Sequence, residues 1–157
     1  MSWSSQQQSR LSMEKSVLER YFRGRVNWID PTRRGSTKVD VRVTTSNNKV
    51  YTLRVFISED FPNSCPVLVV SSPARPLTLR DGCQISSSTA NHSWGTTDGR
   101  TQICHFMPAK WTSENTLYQV FMKGLLWLEA YEGHLASGKP ISNYLVEMSW
   151  NDAMQVV

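Results

Sequence analysis

From Ser9 onward the apolar positions Leu11, Val17, Leu18, Tyr21 and Phe22 recur at helical spacing, with charged residues between them. Gly24 closes the pattern, so a helix of about four turns is predicted. Residues 1–8 are polar apart from Met1 and Trp3 and read as a frayed, flexible leader. The period then drops to two. Val26, Trp28 and Ile29 predict a strand, and Asp30-Pro31 through Gly35 supplies turn chemistry. Val39, Val41 and Val43 alternate strictly with Asp40, Arg42 and Thr44, as a half-buried strand requires. Ser46-Asn47-Asn48 reads as a hairpin turn, because Asn tolerates the left-handed conformations such turns need. Val50 to Ile57 follows as a third strand with Tyr51, Leu53, Val55 and Ile57 on one face. The turn Phe61-Pro62-Asn63-Ser64-Cys65-Pro66 leads to a fourth strand, Val67 to Val70.

Between Ser71 and Gly99 the prolines, glycines, serines and threonines predict a long loop, and loops of that length inside a domain are usually functional. It delivers the chain to Thr101–Trp111, where Gln102-Ile103-Cys104 forms a short apolar-flanked strand running into a turn. Thr112 or Ser113 then caps a second helix, with Glu114 in its first turn. Leu117, Val120, Phe121, Leu125, Leu128 and Tyr131 form one stripe, widened by Met122, Leu126 and Trp127. A helix so apolar lies against the sheet and something else as well. It ends between Gly133 and Gly138, before Lys139-Pro140, and Asn143 to Met148 predicts a last short helix. The expected fold class is α+β: an N-terminal helix, a four-stranded antiparallel meander, an active-site loop and C-terminal helices. No repeat or internal boundary is visible, so residues 1–157 are expected to form a single domain.

Composition narrows the function. Apolar residues make up 39% and charged residues 19%, which marks a globular chain. The apolar runs are too short to span a bilayer and residues 1–10 lack the core of a secretory signal, so a cytoplasmic protein without membrane association is expected. Three cysteines, Cys65, Cys83 and Cys104, cannot all pair within the chain and show no disulfide framework. The net charge is +4, but beyond Arg20, Arg23 and Arg25, with Arg33 and Arg34 nearby, the basic residues are dispersed. A nucleic-acid partner is therefore not expected. Cys83, His92, Cys104 and His105 lack the close cysteine pair of structural zinc motifs, so no metal is expected. Cys104 is left with two readings, a nucleophile at the mouth of a strand–turn junction or a small core residue.

The order Tyr51-x-Leu53-x-Val55, Phe61-Pro62 with Pro66, Ile103-Cys104 and Trp111-Thr112 resembles the ubiquitin-conjugating enzymes over about Ser9 to Tyr144. In that family a Tyr/Phe-Pro turn follows a strand, the cysteine comes in an Ile-Cys-Leu-type step, and a Trp-Ser/Thr pair opens the next helix. Trp127-Leu128-Glu129-Ala130-Tyr131-Glu132, with His134 and Ser137-Gly138, is similar to a segment of the stand-alone bacterial conjugating-enzyme-like proteins of CBASS anti-phage systems. The resemblance implies that Cys104 forms a thioester with the C-terminal tail of a cyclic GMP-AMP synthase-like nucleotidyltransferase and passes it to an amine. Longer relatives carry a fused ATP-consuming activating domain. This chain has no room for one and no Gly-rich nucleotide fingerprint, so no cofactor is expected, and a separate activating enzyme is a candidate partner.

Eukaryotic members carry His-Pro-Asn before the cysteine, where this chain reads Asn91-His92-Ser93-Trp94. His92 is the candidate base and Asn91 the candidate oxyanion donor, against the alternative that both are ordinary loop residues. His105, next to Cys104 on an extended segment, points to the opposite face and reads as a polar loop residue. Trp111, Trp127 and Tyr131 read as packing residues. Loss of the Pro and Asn keeps open a second function, a catalytically inactive ubiquitin-conjugating-variant binding module.

Overall fold

A computed structural model describes residues 1–106 and 108–147. It is an α+β arrangement of an N-terminal helix, a six-stranded antiparallel sheet and C-terminal helices. Helix α1 spans Ser5–Tyr21, and β1 to β4 span Val26–Ile29, Lys38–Thr44, Val50–Phe56 and Val67–Ser72. β5 (Ser93–Thr97) and β6 (Arg100–Ile103) precede α2 (Leu117–Ser137) and α3 (Ile141–Glu147). The sheet order is β1-β2-β3-β4-β6-β5. Among the described residues no helix is long and apolar enough to cross a membrane.

The first helix begins four residues earlier than its apolar period suggests. Ser4 caps it in a reciprocal box: its hydroxyl accepts from the Gln7 N–H and the Gln7 side chain accepts from the Ser4 N–H. The expected leader is anchored. Trp3 is 4% exposed and its indole donates to Thr37 Oγ1 at 3.1 Å, while Gln7 donates to the carbonyls of Glu59 and Phe61. Its polar composition concealed this, because the polar atoms are spent on caps and on the turn before β4.

The strict alternation of β2 and β3 places Val39 opposite Val55, Val41 opposite Leu53 and Val43 opposite Tyr51, all facing the core. On the other face Asp40 lies opposite Arg54 in a two-point ion pair at 2.7 and 3.0 Å. The four-strand expectation is corrected by the hairpin β5–β6. Its turn is Asp98-Gly99, both at positive φ, the two-residue loop whose twist suits a hairpin. Arg100 pairs with the Asp98 carboxylate across that turn. β6 takes in Gln102 and Ile103 of the expected short strand, whereas β5 gives little strand signal because Ser93–Thr97 contains a glycine and one large apolar residue, Trp94, which is 42% exposed. The remaining loop is pinned by buried Leu77 and Ile85.

Helix α2 starts at Leu117, not after Thr112 or Ser113. A 3-10 turn, Pro108–Lys110, precedes the two expected caps, and Thr116 with Gln119 forms the capping box. The helix runs through Gly133 and stops at Gly138, whose left-handed φ of 82° breaks it. It lies close on the sheet at Gly124, where a Cβ would meet the Leu53 side chain at 2.8 Å and Leu68 at 3.1 Å. α3 starts two residues before the expected Asn143. The Met148 end of that expectation lies outside the described residues.

The two long helices are joined through a buried carboxylate. Glu14 is 0% exposed, accepts from Arg10 at 2.7 Å and accepts the Leu117 N–H at 2.9 Å, so its charge sits against the positive end of α2. Arg10 also donates to the carbonyls of Ser113 and Asn115. Replacing Glu14 with Ala leaves Arg10 and a helix N–H without their acceptor, and should lower unfolding free energy by about 3 kcal/mol in urea titration. Glu14→Gln, which retains an acceptor, should cost less.

Candidate functional site

Cys104 follows the last residue of β6. Its N–H donates to the His92 carbonyl at 2.9 Å, which prolongs the β5–β6 pairing by one step and fixes the thiol where both strands leave the sheet. The residue is half-buried. Burial pushes the thiol's pKa up, and the positive charge of Lys123 acts in the other direction. Of the other cysteines, Cys83 is exposed in the loop and Cys65 is half-buried in the turn before β4.

The structure brings His92 to Cys104 through its backbone carbonyl. His92 itself has a left-handed φ of 45°. Burial, and secondarily the charge of Lys123, lower its pKa below the ordinary histidine value, so it is a neutral imidazole at physiological pH. Asn91 is built into the loop. Its side-chain amide donates to the Ser86 carbonyl at 3.1 Å, its own N–H donates to the Ser88 hydroxyl, and its carbonyl accepts from the Trp127 indole at 2.9 Å. An oxyanion role would have to draw on an amide already engaged with Ser86. Trp127 is 0% exposed, Tyr131 stacks on it at 5.5 Å, and Trp111 donates to the Pro62 carbonyl, as packing residues would.

His105 departs from expectation. It is 3% exposed, with Nε2 3.6 Å from Cys65 Sγ and Nδ1 3.3 Å from the Ile103 carbonyl. Burial lowers its pKa to about 4. Its ring faces the interior beside Cys65, not solvent.

The residue that sequence reasoning missed is Lys123 on α2. It is 2% exposed, donates to the His105 carbonyl at 3.0 Å, and holds its ammonium 4.4 Å from the centre of the Phe106 ring. Burial lowers its pKa to about 8, while Cys104 and then Cys65 push it back up and Lys110 pushes it further down. A signal for it existed. Lys123 lies three residues after Val120 and four before Trp127, so helical periodicity puts it on the buried stripe. A lysine there is rarely tolerated unless compensated. The resulting centre holds two thiols, two neutral imidazoles and a buried ammonium around the exit of β6.

Comparisons with family models, with curated proteins and with solved structures returned no match.

Two outcomes follow from the burial of these groups. With iodoacetamide at pH 7, exposed Cys83 should react fastest, Cys104 more slowly, and Cys65, whose thiol is pushed up to about 11, slowest of all. Peptide mass mapping over time reads that order. His105 is neutral in the folded chain down to about pH 4, whereas an unfolded histidine takes up a proton near pH 6.5. Its contribution to stability is therefore complete above pH 6.5 and lost as pH falls toward 4. Urea midpoints measured across that window should fall steeply in the native chain and less steeply in His105→Leu.

Proposed function

We propose that the chain is a ubiquitin-conjugating-like transferase, in which Cys104 accepts the C-terminal acyl group of a partner protein as a thioester and yields it to an amine. The observation that carries this reading is the position of Cys104. It is a half-buried thiol at the exit of a hairpin strand, backed by a long helix that brings a cation to it, within a helix–antiparallel sheet–helix architecture. Acyl transfer needs a thiol that can become a thiolate during attack, and a nearby positive charge favours that form. The motif order of the sequence supports the reading through its resemblance to ubiquitin-conjugating enzymes and to the stand-alone proteins of CBASS anti-phage systems. The partner on this reading is a cyclic GMP-AMP synthase-like nucleotidyltransferase presenting its C-terminal tail, charged with or without a separate activating enzyme.

A second reading, a binding module without catalysis, draws support from one feature. Asn91 spends its side chain on the loop, so the oxyanion donor expected before the cysteine is already committed. The two readings part on covalent chemistry. Co-expression with the nucleotidyltransferase should yield an adduct that thiols cleave, that Cys104→Ala abolishes and that Cys104→Ser converts to a more stable ester. An adduct that survives Cys104→Ala would remove the transferase reading. Stable association without any adduct would favour the binding module.

A further inference from the structure

His92, which stands at the histidine of the expected His-Pro-Asn position, meets Cys104 through its backbone carbonyl, and His105 is turned toward Cys65. Burying an ammonium costs several kcal/mol unless charge or hydrogen bonds compensate it. Lys123 is nonetheless 2% exposed and tied by its Nζ to the carbonyl of the residue that follows Cys104. Among the described residues, the titratable groups that act on it are Cys104 after β6, Cys65 in the turn before β4, His92 ahead of β5, and His105 and Lys110 in the segment before α2. Of these, only the two thiols can supply negative charge.

We propose that Lys123 is the proton carrier of the site, charged while Cys104 is free and neutral while Cys104 is acylated. This rests on the acyl-transfer reading. In the first step the Cys104 thiolate attacks a donor thioester. The new S–C bond forms, the donor's C–S bond breaks, and Lys123 gives its proton to the departing thiolate. Acylation removes the negative charge of Cys104, while burial continues to disfavour the ammonium, so the amine form persists. In the second step the acceptor amine attacks the thioester carbon and gives its proton to Lys123 as the C–N bond forms. The Cys104 thiolate leaves beside a restored cation. Donor thioester plus amine becomes amide plus free thiol, with no proton gained or lost. The hydrogen bond to the His105 carbonyl is available to both forms of Lys123, which keeps the amine in place between steps.

The test compares the native chain with Lys123→Met and Lys123→Arg. Met removes a buried cation at similar volume, so the fold should survive, and thermal melting checks it. In the first arm, iodoacetamide reactivity of Cys104 is followed against pH, with Cys83 of the same chain as reference. Lys123→Met should shift the Cys104 profile upward by about one pH unit, roughly a tenfold loss at pH 7.5, whereas Lys123→Arg retains the cation and should stay within about twofold. In the second arm Cys104 is charged from a glycyl-peptide thioester of mercaptoethanesulfonate and discharged to free lysine. An arginine cannot give up its proton, so Lys123→Arg should discharge at least about tenfold more slowly. A native alkylation profile in Lys123→Met, or native discharge in a charged Lys123→Arg, overturns the proton-carrier role while leaving acyl transfer standing. Failure of the native chain to charge at all overturns the acyl-transfer reading itself.

Discussion

The structure depends on how closely α2 can lie on the sheet. Gly124 sets that distance, because any side chain there would run into Leu53 at the centre of β3 and Leu68 near the start of β4. With the backbone this near, Lys123 arrives at the end of β6 within hydrogen-bonding distance of the His105 carbonyl, and Trp127 reaches the carbonyl of Asn91. A helix held farther off would leave the lysine in solvent and the loop without its anchor. The chemistry around Cys104 is thus a consequence of one missing methyl group on the neighbouring element. Alanine at that position would have to move two buried leucines in a close-packed interior.

The loop between β4 and β5 is organised by the same helix. Trp127, Tyr131 and His134 lie along one side of α2, and they meet the Asn91 carbonyl, the Thr78 carbonyl and the Arg80 N–H in turn. His134 accepts the Arg80 N–H at Nε2 and faces the Lys139 carbonyl with Nδ1, which defines one neutral tautomer and satisfies both neighbours. The segment lacks regular structure, yet three of its backbone groups are held by side chains of a rigid element. This is how an irregular chain can position Cys104 reproducibly.

Much of the fold was legible in the sequence where one rule dominates. The valines of β2 and the Tyr51, Leu53, Val55 series of β3 announce their faces because burial alone decides them, and the apolar stripe of α2 does the same. The signals failed where polar chemistry does the structural work. Ser4 and Gln7 cap a helix although they read as a leader, and Asp98-Gly99 turns a hairpin whose strands carry little apolar content. The position of Cys104 was readable from its surroundings in the chain. Its electrical environment was not, because Lys123 is 19 residues away in sequence and His105 meets Cys65 40 residues off, and proximity of that kind is created only by folding.

The clasp at Glu14 has a further consequence for the order in which a growing chain can become native. The first turn of α1 and Trp3 before it find hydrogen-bond partners early: Trp3 donates to Thr37, and Gln7 donates to Glu59 and Phe61. Arg10 and Glu14 must wait, since Arg10 reaches the Ser113 and Asn115 carbonyls and Glu14 receives the Leu117 N–H from 103 residues downstream. During synthesis the helix therefore emerges with one end moored and a carboxylate facing a site that does not yet exist. Only when α2 leaves the ribosome can that charge be buried, so the last large element to appear is the one that completes the first.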